Sequence, residues 1–480
     1  MKILFAVGPS DGTPAEGALF WKKIKDKLEK ENYHILFHSF FKESVLTLKK
    51  LQEECVYIPK ELDNYKEIDR YSKVQIQKAL EEIELKYNCS TERILLGDFD
   101  YNHSVPRKKA FIDMIKYFRI FEKYFQKQKP DVVIGGGQRY FNLIPFFICK
   151  KINIKYINVH LDIFPGEFTI TDNIFDESSE FKAYWNEVKE KEISEEERLE
   201  IQDYFDSITK KFQKPTWASI DQRPKVNKKK IAYLFNRIYT YLFVEDKKTP
   251  YLRVFRGVKK YFMKILRSKI VRIIYSKPDY NSKYIFYPLH VEWDDTIIVN
   301  NPQFIEQENL IKQISQSLPA GHQLYVKEHP ANIGGIPISI LRKIKRLPNV
   351  KLLPSEEDSY KIIKNCQAVI TIVGSSGWEA LLFEKPLIVL GNAYYKSAGV
   401  TWNVENLADI PVVMRRALQE KKNDKEKFLR FVSAYKKFSY KGLVAFSGLY
   451  YSTRSNSEEV LADENIKSVS ESLINYFSKY

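Results

Sequence analysis

The chain has few cysteines and lacks any long apolar run. Its 480 residues include only four cysteines, far apart and without a CxxC pair: Cys55, Cys89, Cys149 and Cys366. This pattern predicts reduced thiols in a cytosolic protein and argues against a disulfide framework or a cysteine-based zinc site. No apolar stretch approaches the roughly 20 residues that a membrane-spanning helix needs. Low-complexity linkers and repeats of fixed period are also missing from the sequence.

The start of the chain does not have the pattern of a signal peptide. MKILFAVGPSDG contains one lysine and a very short apolar stretch, which predicts a first β-strand ending in a Gly/Pro loop. A composition of 44% hydrophobic and 29% charged residues is typical of a globular protein. The length exceeds what one ordinary core can organise and favours two domains with additions.

The positive charge is concentrated in one stretch. The formal net charge is +16, and residues 225–277 contain 16 Lys and Arg against two acids, Glu245 and Asp246. The stretch is also rich in Tyr, Phe, Leu and Ile. A solvated basic face is one interpretation, and a nucleic-acid surface is disfavoured because no binding motif accompanies it. We favour contact with an anionic membrane, whose lipids attract the basic side chains while the apolar ones enter the interface.

Hydrophobic patterns divide the chain into four parts. Strand-like and helix-like segments alternate over residues 1–178 and again over 281–440, whereas 179–280 is mostly helical and basic and 441–480 is a helical tail. Strands separated by helices predict a parallel sheet with helices on both faces. The expected fold class is therefore α/β, with two Rossmann-like domains facing each other across a cleft. Ligands of such sheets bind outside the carboxyl ends of the strands.

A glycine- and serine-rich turn follows one buried strand of the second region. The strand AVITIV ends at Val373, and the next helix is predicted to begin near Trp378. The turn between them consists of Gly374, Ser375, Ser376 and Gly377. Serine hydroxyls cap helices and, with the free N–H groups of the first turn, bind anions such as phosphate. Glu379, in the predicted first turn, can accept hydrogen bonds from a sugar diol; the alternative is an ordinary cap without a ligand.

A second strand of the same region ends in KEHP. Lys327 and His329 can each donate a hydrogen bond to phosphate oxygens, and Pro330 stiffens the backbone beyond them. Glu328 is predicted to point away and form a supporting salt bridge. Neighbouring parallel strands would bring this strand end and the serine turn to one rim, which predicts a nucleotide-phosphate site. The alternative is a solvated loop in which the histidine has no role.

Three stretches resemble, in their order along the chain, the bacterial capsule polysaccharide biosynthesis proteins, a family that includes β-Kdo transferases. They are YPLHVEWDDT, NPQFIEQENLIKQISQSLPAGHQLYVKEHP and LPNVKLLPSEEDSYKIIKNCQAVITIVGSSGWEALLFEKPLIVLGNAYY. The close resemblance covers residues 280–400. PDVVIGGG and HLDIFPGEFTITDNIFDESSEF resemble the N-terminal half of the family more loosely.

The resemblance implies a GT-B fold and glycosyl transfer without a bound metal. The family is similar to bacterial sialyltransferases, in which a His-Pro motif and a Ser/Thr-Ser motif hold the CMP of a CMP-sugar. His329 and Pro330 match the first motif, and Ser375 and Ser376 match the second. CMP-Kdo is the donor that this resemblance favours, and no further cofactor is implied.

Glycosyl transfer needs a carboxylate or imidazole near the acceptor hydroxyl, or a carboxylate nucleophile. We expect the N-terminal domain to supply it and favour Asp172 and Glu167, in a predicted loop after the strand KYINVH, because this segment most resembles the family. Asp11 is the nearest counterpart of the double-acid-Gly motif of the sialyltransferases, with one acid instead of two. Further candidates are Asp162, Glu16, Asp98, Asp100 and His103. For each acid the alternative is a surface or capping carboxylate.

Asp294 and Asp295 suggest a metal site as an alternative, because metal-dependent transferases use acids to chelate a diphosphate-bound cation. An adjacent pair after a strand more often forms a turn or a helix cap, so no metal ligand is assigned. His290, in PLHVE, is the better candidate for a residue of the cleft.

Together these features predict a metal-independent glycosyltransferase, cytoplasmic and peripheral to the inner membrane. It would move a sugar, Kdo in the favoured case, onto a lipid-linked capsule or lipopolysaccharide-type glycan. The expected partners are a nucleotide-sugar donor, this acceptor, and an anionic membrane bound through residues 225–277, with no nucleic acid. Alternative donors are CMP-sialic acid, a UDP-sugar and CDP-glycerol. A non-catalytic capsule assembly protein is a further alternative, and an epimerase is disfavoured because it would need no membrane patch.

Overall fold

The computed structural model describes the chain at residues 1–7, 13–98, 102–103, 105–137, 139–161, 163–175, 178–212, 228–244, 254–291, 294–420, 424–444 and 457–479. The chain divides into two compact units. The first contains Met1–Ile174, Val226–Gly257 and Ser439–Tyr480, and the second contains Phe175–Lys225 and Val258–Phe438. The domain boundaries expected from the sequence differ from these segments and stay predictions.

Strands are numbered in chain order over the described residues. They are β1 Lys2–Val7, β2 His34–Ser39, β3 Cys55–Tyr57, β4 Val132–Gly135, β5 Lys155–Leu161, β6 Glu167–Thr171, β7 Tyr284–Pro288, β8 Gln323–Lys327, β9 Val350–Leu353, β10 Ala368–Thr371, β11 Leu387–Val389, β12 Trp402–Asn403 and β13 Ser439–Lys441.

The first unit contains a seven-stranded sheet with the order β13-β6-β5-β4-β1-β2-β3. Strands β1 to β5 run parallel, and β6 is antiparallel to both β5 and β13. Its helices are Pro14–Leu28, Lys42–Lys50, Ile58–Glu61, Lys73–Tyr87, Thr91–Leu96, Arg107–Gln128, Tyr140–Ile152, Lys228–Tyr239, Ser457–Leu461 and Asp463–Phe477. Short 3₁₀ helices cover Glu29–Glu31 and Leu62–Arg70, and a π-helical turn covers Thr240–Val244.

The inner strand β1 is apolar on both faces because helices cover both faces of a parallel sheet. Ile3 and Phe5 on one face and Leu4 on the other are fully buried. The helix that follows begins with a capping box, in which the Thr13 side chain accepts from the Glu16 N–H and the Glu16 carboxylate accepts from the Thr13 N–H at 2.8 Å. Glu16 therefore has a structural role at a helix start.

The predicted loop that carries Glu167 is in part a strand, so this part of the prediction is wrong. Glu167 is the first residue of β6, which pairs antiparallel with β5 and places Phe168 opposite Leu161. The turn before it contains Gly166 at φ +77°, a conformation that glycine adopts without strain. Strand β13, which pairs with β6, ends at Lys441, where the predicted helical tail begins.

The second unit contains a six-stranded sheet with the order β12-β11-β10-β7-β8-β9, and all its pairs are parallel. Its helices are Ser179–Val188, Glu195–Thr209, Val254–Ile270 (assigned to this unit from Val258), Asp295–Ile298, Gln307–Gln316, Ile338–Lys345, Ser359–Asn365, Ser375–Leu382, Ile410–Gln419 and Lys425–Lys436. Short 3₁₀ helices cover Val271–Ile273, Pro302–Phe304, Pro330–Asn332, Tyr394–Ala398 and Leu407–Asp409.

The predicted α/β class with two Rossmann-like units is confirmed, since each unit is built on a mainly parallel sheet with helices between most of its parallel strands. The cleft between the units stays a prediction. Across the ranges given above, no helix combines the length and the apolar character needed to cross a bilayer.

Candidate functional site

The second sheet reverses its strand order beside β7. From β7 the chain runs outward to β8 and β9 and then returns to β10 on the other side of β7. Such a reversal leaves a crevice at the carboxyl ends of the two strands, where ligands of open α/β sheets bind. Residues that follow β7, β8 and β10 therefore share one edge: His290, the KEHP segment and the serine turn. The sequence predicted this common rim, although β7 separates the two strands concerned.

The serine turn differs from its prediction. Helix Ser375–Leu382 begins at Ser375 instead of Trp378, and its N-cap is Gly374 at φ 93° without a side-chain cap. The expectation that the serines cap the helix is therefore wrong, because both lie inside the first turn. A helix start without a side-chain cap leaves its first N–H groups available to a ligand.

The two serine hydroxyls are available for the same purpose. Ser375 and Ser376 are half-buried, and within the described parts of the chain neither hydroxyl has a hydrogen-bond partner. Glu379 lies in the second turn, not in the first as predicted, and is nearly buried. Its charge raises the pKa values of Tyr360 and Tyr395, although burial raises both more.

His290 lies between the two strand ends. Its Nε2 is 2.7 Å from the Val373 carbonyl oxygen, which can only accept, so we assign the proton to Nε2. Nδ1 is then an acceptor, and it is buried without a partner among the residues that the structure describes. Burial lowers the pKa of His290, so the imidazole is neutral. A Cβ added to Gly374 would lie 3.7 Å from Nε2, which shows how closely the two strand ends approach.

Two residues that the sequence did not single out hold this arrangement. Gln307 accepts from the His290 N–H at 2.9 Å and donates to its carbonyl at 3.0 Å. Tyr395 donates to the Gly374 carbonyl at 3.1 Å, and a Cβ on Gly377 would meet its hydroxyl oxygen at 2.1 Å. Position 377 therefore requires glycine, because any larger residue would clash with Tyr395. No local sequence signal could have identified either residue, because each lies at least 17 positions from its partner.

His329 presents one ring nitrogen to the rim. Its Nδ1 accepts a hydrogen bond from the Ala331 N–H at 3.1 Å, at the start of the 3₁₀ helix Pro330–Asn332. Burial, with smaller contributions from His290 and Lys327, lowers the pKa of His329 to about 4. The neutral ring therefore carries its proton on Nε2, which can donate to an oxygen of a ligand.

Lys327 is the last residue of β8 and is only 5% exposed. Its Nζ donates to the Ser359 hydroxyl at 2.9 Å, so the ammonium group lies beneath the rim instead of projecting into solvent. A buried ammonium contributes positive potential to the site even without a direct ligand contact.

Glu328 does not form the predicted salt bridge. Its side chain is 1% exposed and accepts a hydrogen bond from the Tyr275 hydroxyl. Burial raises the pKa of Glu328 to about 7, because the charged form loses its hydration. The carboxyl supports the loop from inside the fold.

Asp294 caps a helix, as the alternative to metal binding predicted. Its carboxylate accepts from the Thr296 N–H at 2.9 Å at the start of helix Asp295–Ile298. Where the structure describes the chain, no group of three His, Cys, Asp or Glu side chains is close enough to hold a metal ion.

The two favoured acids of the first unit lie at different heights on its sheet. Glu167 lies just beyond the carboxyl end of β5, because Phe168 faces Leu161. Asp172 follows Thr171, which pairs with Asn158 in the middle of β5. At ~3.3 Å per residue the two acids are about 17 Å apart along the strand, so they cannot act on one atom together. Asp11, Asp100 and Asp162 lie outside the described residues, and Asp98 is buried.

The first sheet has its own reversal point, between β1 and β4. A small cleft that is open to solvent lies at their carboxyl ends. Aromatic side chains line much of it, including Trp21 and Phe141. None of the described side chains around it carries a charge at neutral pH, because burial lowers the pKa of His38 to about 3.

Two residues of the wall of this cleft, His38 and Asn142, have buried polar atoms without partners among the described residues. Both ring nitrogens of His38 and the Oδ1 of Asn142 are buried and have no hydrogen-bond partner in the described parts of the protein. The Asn142 amide donates to the Gly136 carbonyl, which orients it at the cleft. Apolar walls with a few placed polar groups are typical of small-molecule sites.

Fold and site together define a protein of two α/β units with a candidate anion site at the reversal point of the second. Residues 200–425 match the model of the family described as "Capsule polysaccharide biosynthesis protein". The predicted resemblance to this family is thereby confirmed over that segment. A curated relative, the capsule polysaccharide export protein KpsS of Escherichia coli, is 26% identical over 156 residues, 30% of this chain and 38% of the relative. The match thus spans well under half of that protein.

Solved structures of similar architecture include a Thermosulfurimonas dismutans KpsC β-Kdo 2,7 transferase, at 13% identity and a TM-score of 0.33, covering 75% of this chain and 89% of that one. UDP-GlcNAc 2-epimerase from Neisseria meningitidis bound to UDP-GlcNAc is 12% identical with a TM-score of 0.28, covering 100% of both chains. Likenesses at these TM-scores indicate nothing about ligand or reaction.

Proposed function

We propose that this protein is a glycosyltransferase of capsule-type polysaccharide biosynthesis whose second unit binds the nucleotide-sugar donor. The observation that supports this proposal is the set of donors around the crevice between β7 and β10. His329 offers Nε2–H, and Ser375 and Ser376 offer free hydroxyls above an uncapped helix start. Such donors at a reversal point suit a phosphate group.

The same groups would assist the reaction. As the sugar leaves, negative charge grows on the phosphate of the nucleotide, and fixed donors that bind this charge lower the barrier. The buried Lys327 adds positive potential beneath them. Pro330 fixes the backbone after His329, and Gly374 and Gly377 permit the close approach of the turn. No metal ion is required in this scheme.

CMP-Kdo is the donor that we favour, because the His-Pro and Ser-Ser motifs match those of transferases that use CMP-sugars. CMP-sialic acid, a UDP-sugar and CDP-glycerol are the alternative donors. His290 would support the donor site through the hydrogen bond from its Nε2 to the Val373 carbonyl, and Glu379 would bind a diol from the second turn of its helix.

The acceptor would bind the first unit at the cleft between β1 and β4. Its aromatic walls and uncharged polar atoms suit a sugar ring. Asp172 and Glu167 stay the favoured candidates for the catalytic carboxylate. Thr171, just before Asp172, is level with Gly135 at the carboxyl end of β4, and Glu167 lies beyond the carboxyl end of β5. Asp11 follows β1 in the sequence and stays a candidate.

A lipid-linked acceptor would require the protein to work at a membrane surface. Helix Lys228–Tyr239 and the π-helical turn after it expose Ile231, Phe235, Tyr239, Leu242 and Phe243, which recur at helical spacing. Lysines and arginines surround them in the sequence. We therefore propose a cytoplasmic protein peripheral to the inner membrane, which binds anionic lipid through residues 225–277.

A non-catalytic role in capsule assembly is the second candidate function. The observation that favours it is the name of the KpsS relative, an export protein. It predicts that nucleotides bind weakly or not at all while anionic vesicles still bind.

Calorimetric and thermal-shift titrations with CMP, UMP, UDP, CDP and ADP separate these proposals. A ligand that binds only the folded state stabilises it by mass action. We expect CMP to bind selectively, and Ser376→Ala and His329→Ala to abolish the response. Ser317→Ala, at a half-buried serine of the same unit, is the matched control. Selective stabilisation by UDP would indicate a UDP-sugar donor instead of a CMP-sugar. No response to any nucleotide would favour the non-catalytic role.

A further inference from the structure

Helix Val254–Ile270 has two faces with different surroundings. Phe262, Leu266 and Ile270 recur every fourth residue and are exposed, at 60%, 55% and 39%. Lys264 and Ser268 lie on the opposite side of the helix and are half-buried. A helix in a folded protein normally buries its apolar stripe, so an outward-facing stripe requires an explanation.

The half-buried face packs directly on the loop that follows His329. Lys264 donates from Nζ to the Ala331 carbonyl at 3.2 Å, and Arg267 donates to the Gly335 carbonyl at 3.3 Å. Between these contacts the two backbones touch, since a Cβ on Gly334 would lie 2.3 Å from the Lys264 carbonyl oxygen. The helix therefore holds the backbone on which His329 depends.

The exposed face suits an anionic membrane. The helix sequence VFRGVKKYFMKILRSKI contains six Lys or Arg and no acid. Of those whose side chains are described, Lys269 is exposed beside the apolar stripe, whereas Lys264 and Arg267 contact the loop. Aromatic and aliphatic side chains that project beside basic ones are typical of helices that lie in the interface of anionic bilayers. The excess of positive charge disfavours a second copy of the same face as the partner, because like charges would meet.

We propose that this helix is a membrane-responsive support of the donor loop: docking its exposed face on an anionic bilayer raises the affinity of the His329 loop for the phosphate of the donor. This inference rests on the proposed function and adds its regulation. Docking fixes the helix, and Lys264 and Arg267 then fix the carbonyls of Ala331 and Gly335. A loop that is already ordered loses less conformational entropy when the phosphate binds.

Thermodynamic linkage makes this coupling reciprocal. If anionic vesicles tighten CMP binding by some factor, CMP tightens vesicle binding by the same factor. We expect a factor of at least about five, the lower end of ordinary allosteric coupling. Vesicles of phosphatidylcholine alone should produce no change, because they lack the anionic lipid.

The experiment measures CMP affinity of the full chain by calorimetry, with phosphatidylcholine vesicles that do or do not contain phosphatidylglycerol. Hydrogen exchange of the backbone amides of residues 331–335 is recorded in the same samples without nucleotide. The second readout does not depend on donor binding. If CMP does not bind under any condition, the proposed function fails, while slower exchange on anionic vesicles would still show that docking orders the loop.

Two variants separate docking from coupling. Leu266→Ser combined with Ile270→Ser should abolish vesicle binding and the vesicle response, and leave CMP affinity in solution unchanged. Val412→Ser, at another exposed apolar position of the same unit, is the matched control. Lys264→Met keeps the length of the side chain but removes the donor to Ala331, so vesicles should bind while CMP affinity no longer responds. Lys269→Met, an exposed lysine on the same helix, should retain the response.

Three outcomes would overturn the proposal. The first is vesicle binding that changes neither CMP affinity nor the exchange of the loop. The second is an unchanged vesicle response in Lys264→Met. The third is a change in oligomeric state, instead of vesicle binding, when Leu266 and Ile270 are replaced, since this would identify the exposed face as a contact between copies of the chain.

Discussion

His290 and Gly374 meet at the carboxyl edge of the second sheet, where the strand order reverses. The imidazole Nε2 donates a hydrogen bond to the carbonyl of Val373. A Cβ added to the next residue, Gly374, would lie 3.7 Å from the same nitrogen. The crevice is therefore narrow, and its shape depends on a glycine with φ 93°. This contact links the ends of β7 and β10 and leads to the first two predictions.

Replacing Gly374 by alanine should destabilise the protein and weaken nucleotide binding. A residue with a Cβ is strained at this backbone conformation by about 1–3 kcal/mol. Gly321→Ala is the matched control, because Gly321 also has a positive φ, of 76°, but has nothing within 4 Å of an added Cβ. Thermal unfolding should show lower stability of both variants. CMP titration should show weaker binding only in Gly374→Ala. Equal nucleotide affinities in the two variants would show that the turn is not part of the binding site.

Tyr395→Phe tests whether the Tyr395 hydroxyl holds the same turn in place. Loss of its hydrogen bond to the Gly374 carbonyl should cost about 1 kcal/mol of stability and loosen the turn. Tyr284→Phe removes a similar buried bond, to the Ile362 carbonyl at 2.8 Å, elsewhere in the unit. Both variants should unfold at lower temperature, whereas only Tyr395→Phe should bind CMP more weakly. A similar affinity in both would mean that Tyr395 only stabilises the fold.

Glu328→Gln should change how stability depends on pH. The folded protein raises the pKa of Glu328 from its ordinary value of 4.5 to about 7, so between these values the native state binds more protons than the unfolded state. The contribution of this carboxyl to stability is therefore fully present below pH 4.5 and is lost as the pH rises through 7.

Glutamine cannot ionise, so the variant should lose less stability than the wild type between pH 5 and 8. Denaturant unfolding at several pH values measures this difference. Glu306→Gln, at an exposed position of the same unit, should follow the wild-type curve. A variant curve parallel to that of the wild type would show that Glu328 is already ionised in the folded protein.

Gly136→Phe should fill the cleft of the first unit. An added Cβ at this position meets nothing within 4 Å, so the ring can enter the cleft without a clash at its base. Transfer to the acceptor should fall by on the order of tenfold or more, and CMP affinity should not change. Ile152→Phe adds bulk at an exposed position of the following helix and is the control. Full transfer by Gly136→Phe would place the acceptor elsewhere.

The sequence predicted the parts of the fold that depend on local pattern. Buried parallel strands such as β1 and β10 are apolar runs, and the helices between them repeat at 3.6 residues. Strand β6 was missed because Pro165 and Gly166 resemble a loop, and because one of its partners, β13, lies about 270 residues further along the chain. Antiparallel pairing over such a distance leaves no local signal.

The sequence predicted the location of the candidate site in the sheet more accurately than the contacts of its side chains. The rim shared by His329 and the serine turn follows from parallel strand order, a rule that sequence alone can use. The helix start at Ser375 depends on the φ of Gly374, and the buried state of Glu328 depends on Tyr275, 53 residues earlier. These features arise from tertiary contacts, which composition and spacing do not encode.

The return of the tail to the first unit determines the order in which the protein can be built. Val469, Leu473 and Phe477 lie in the same buried cluster as Ile3 and Phe5. A ribosome releases β1 long before the tail residues that close its core. The second unit, whose residues are complete by Phe438, can therefore fold on the ribosome while the first still exposes part of its core.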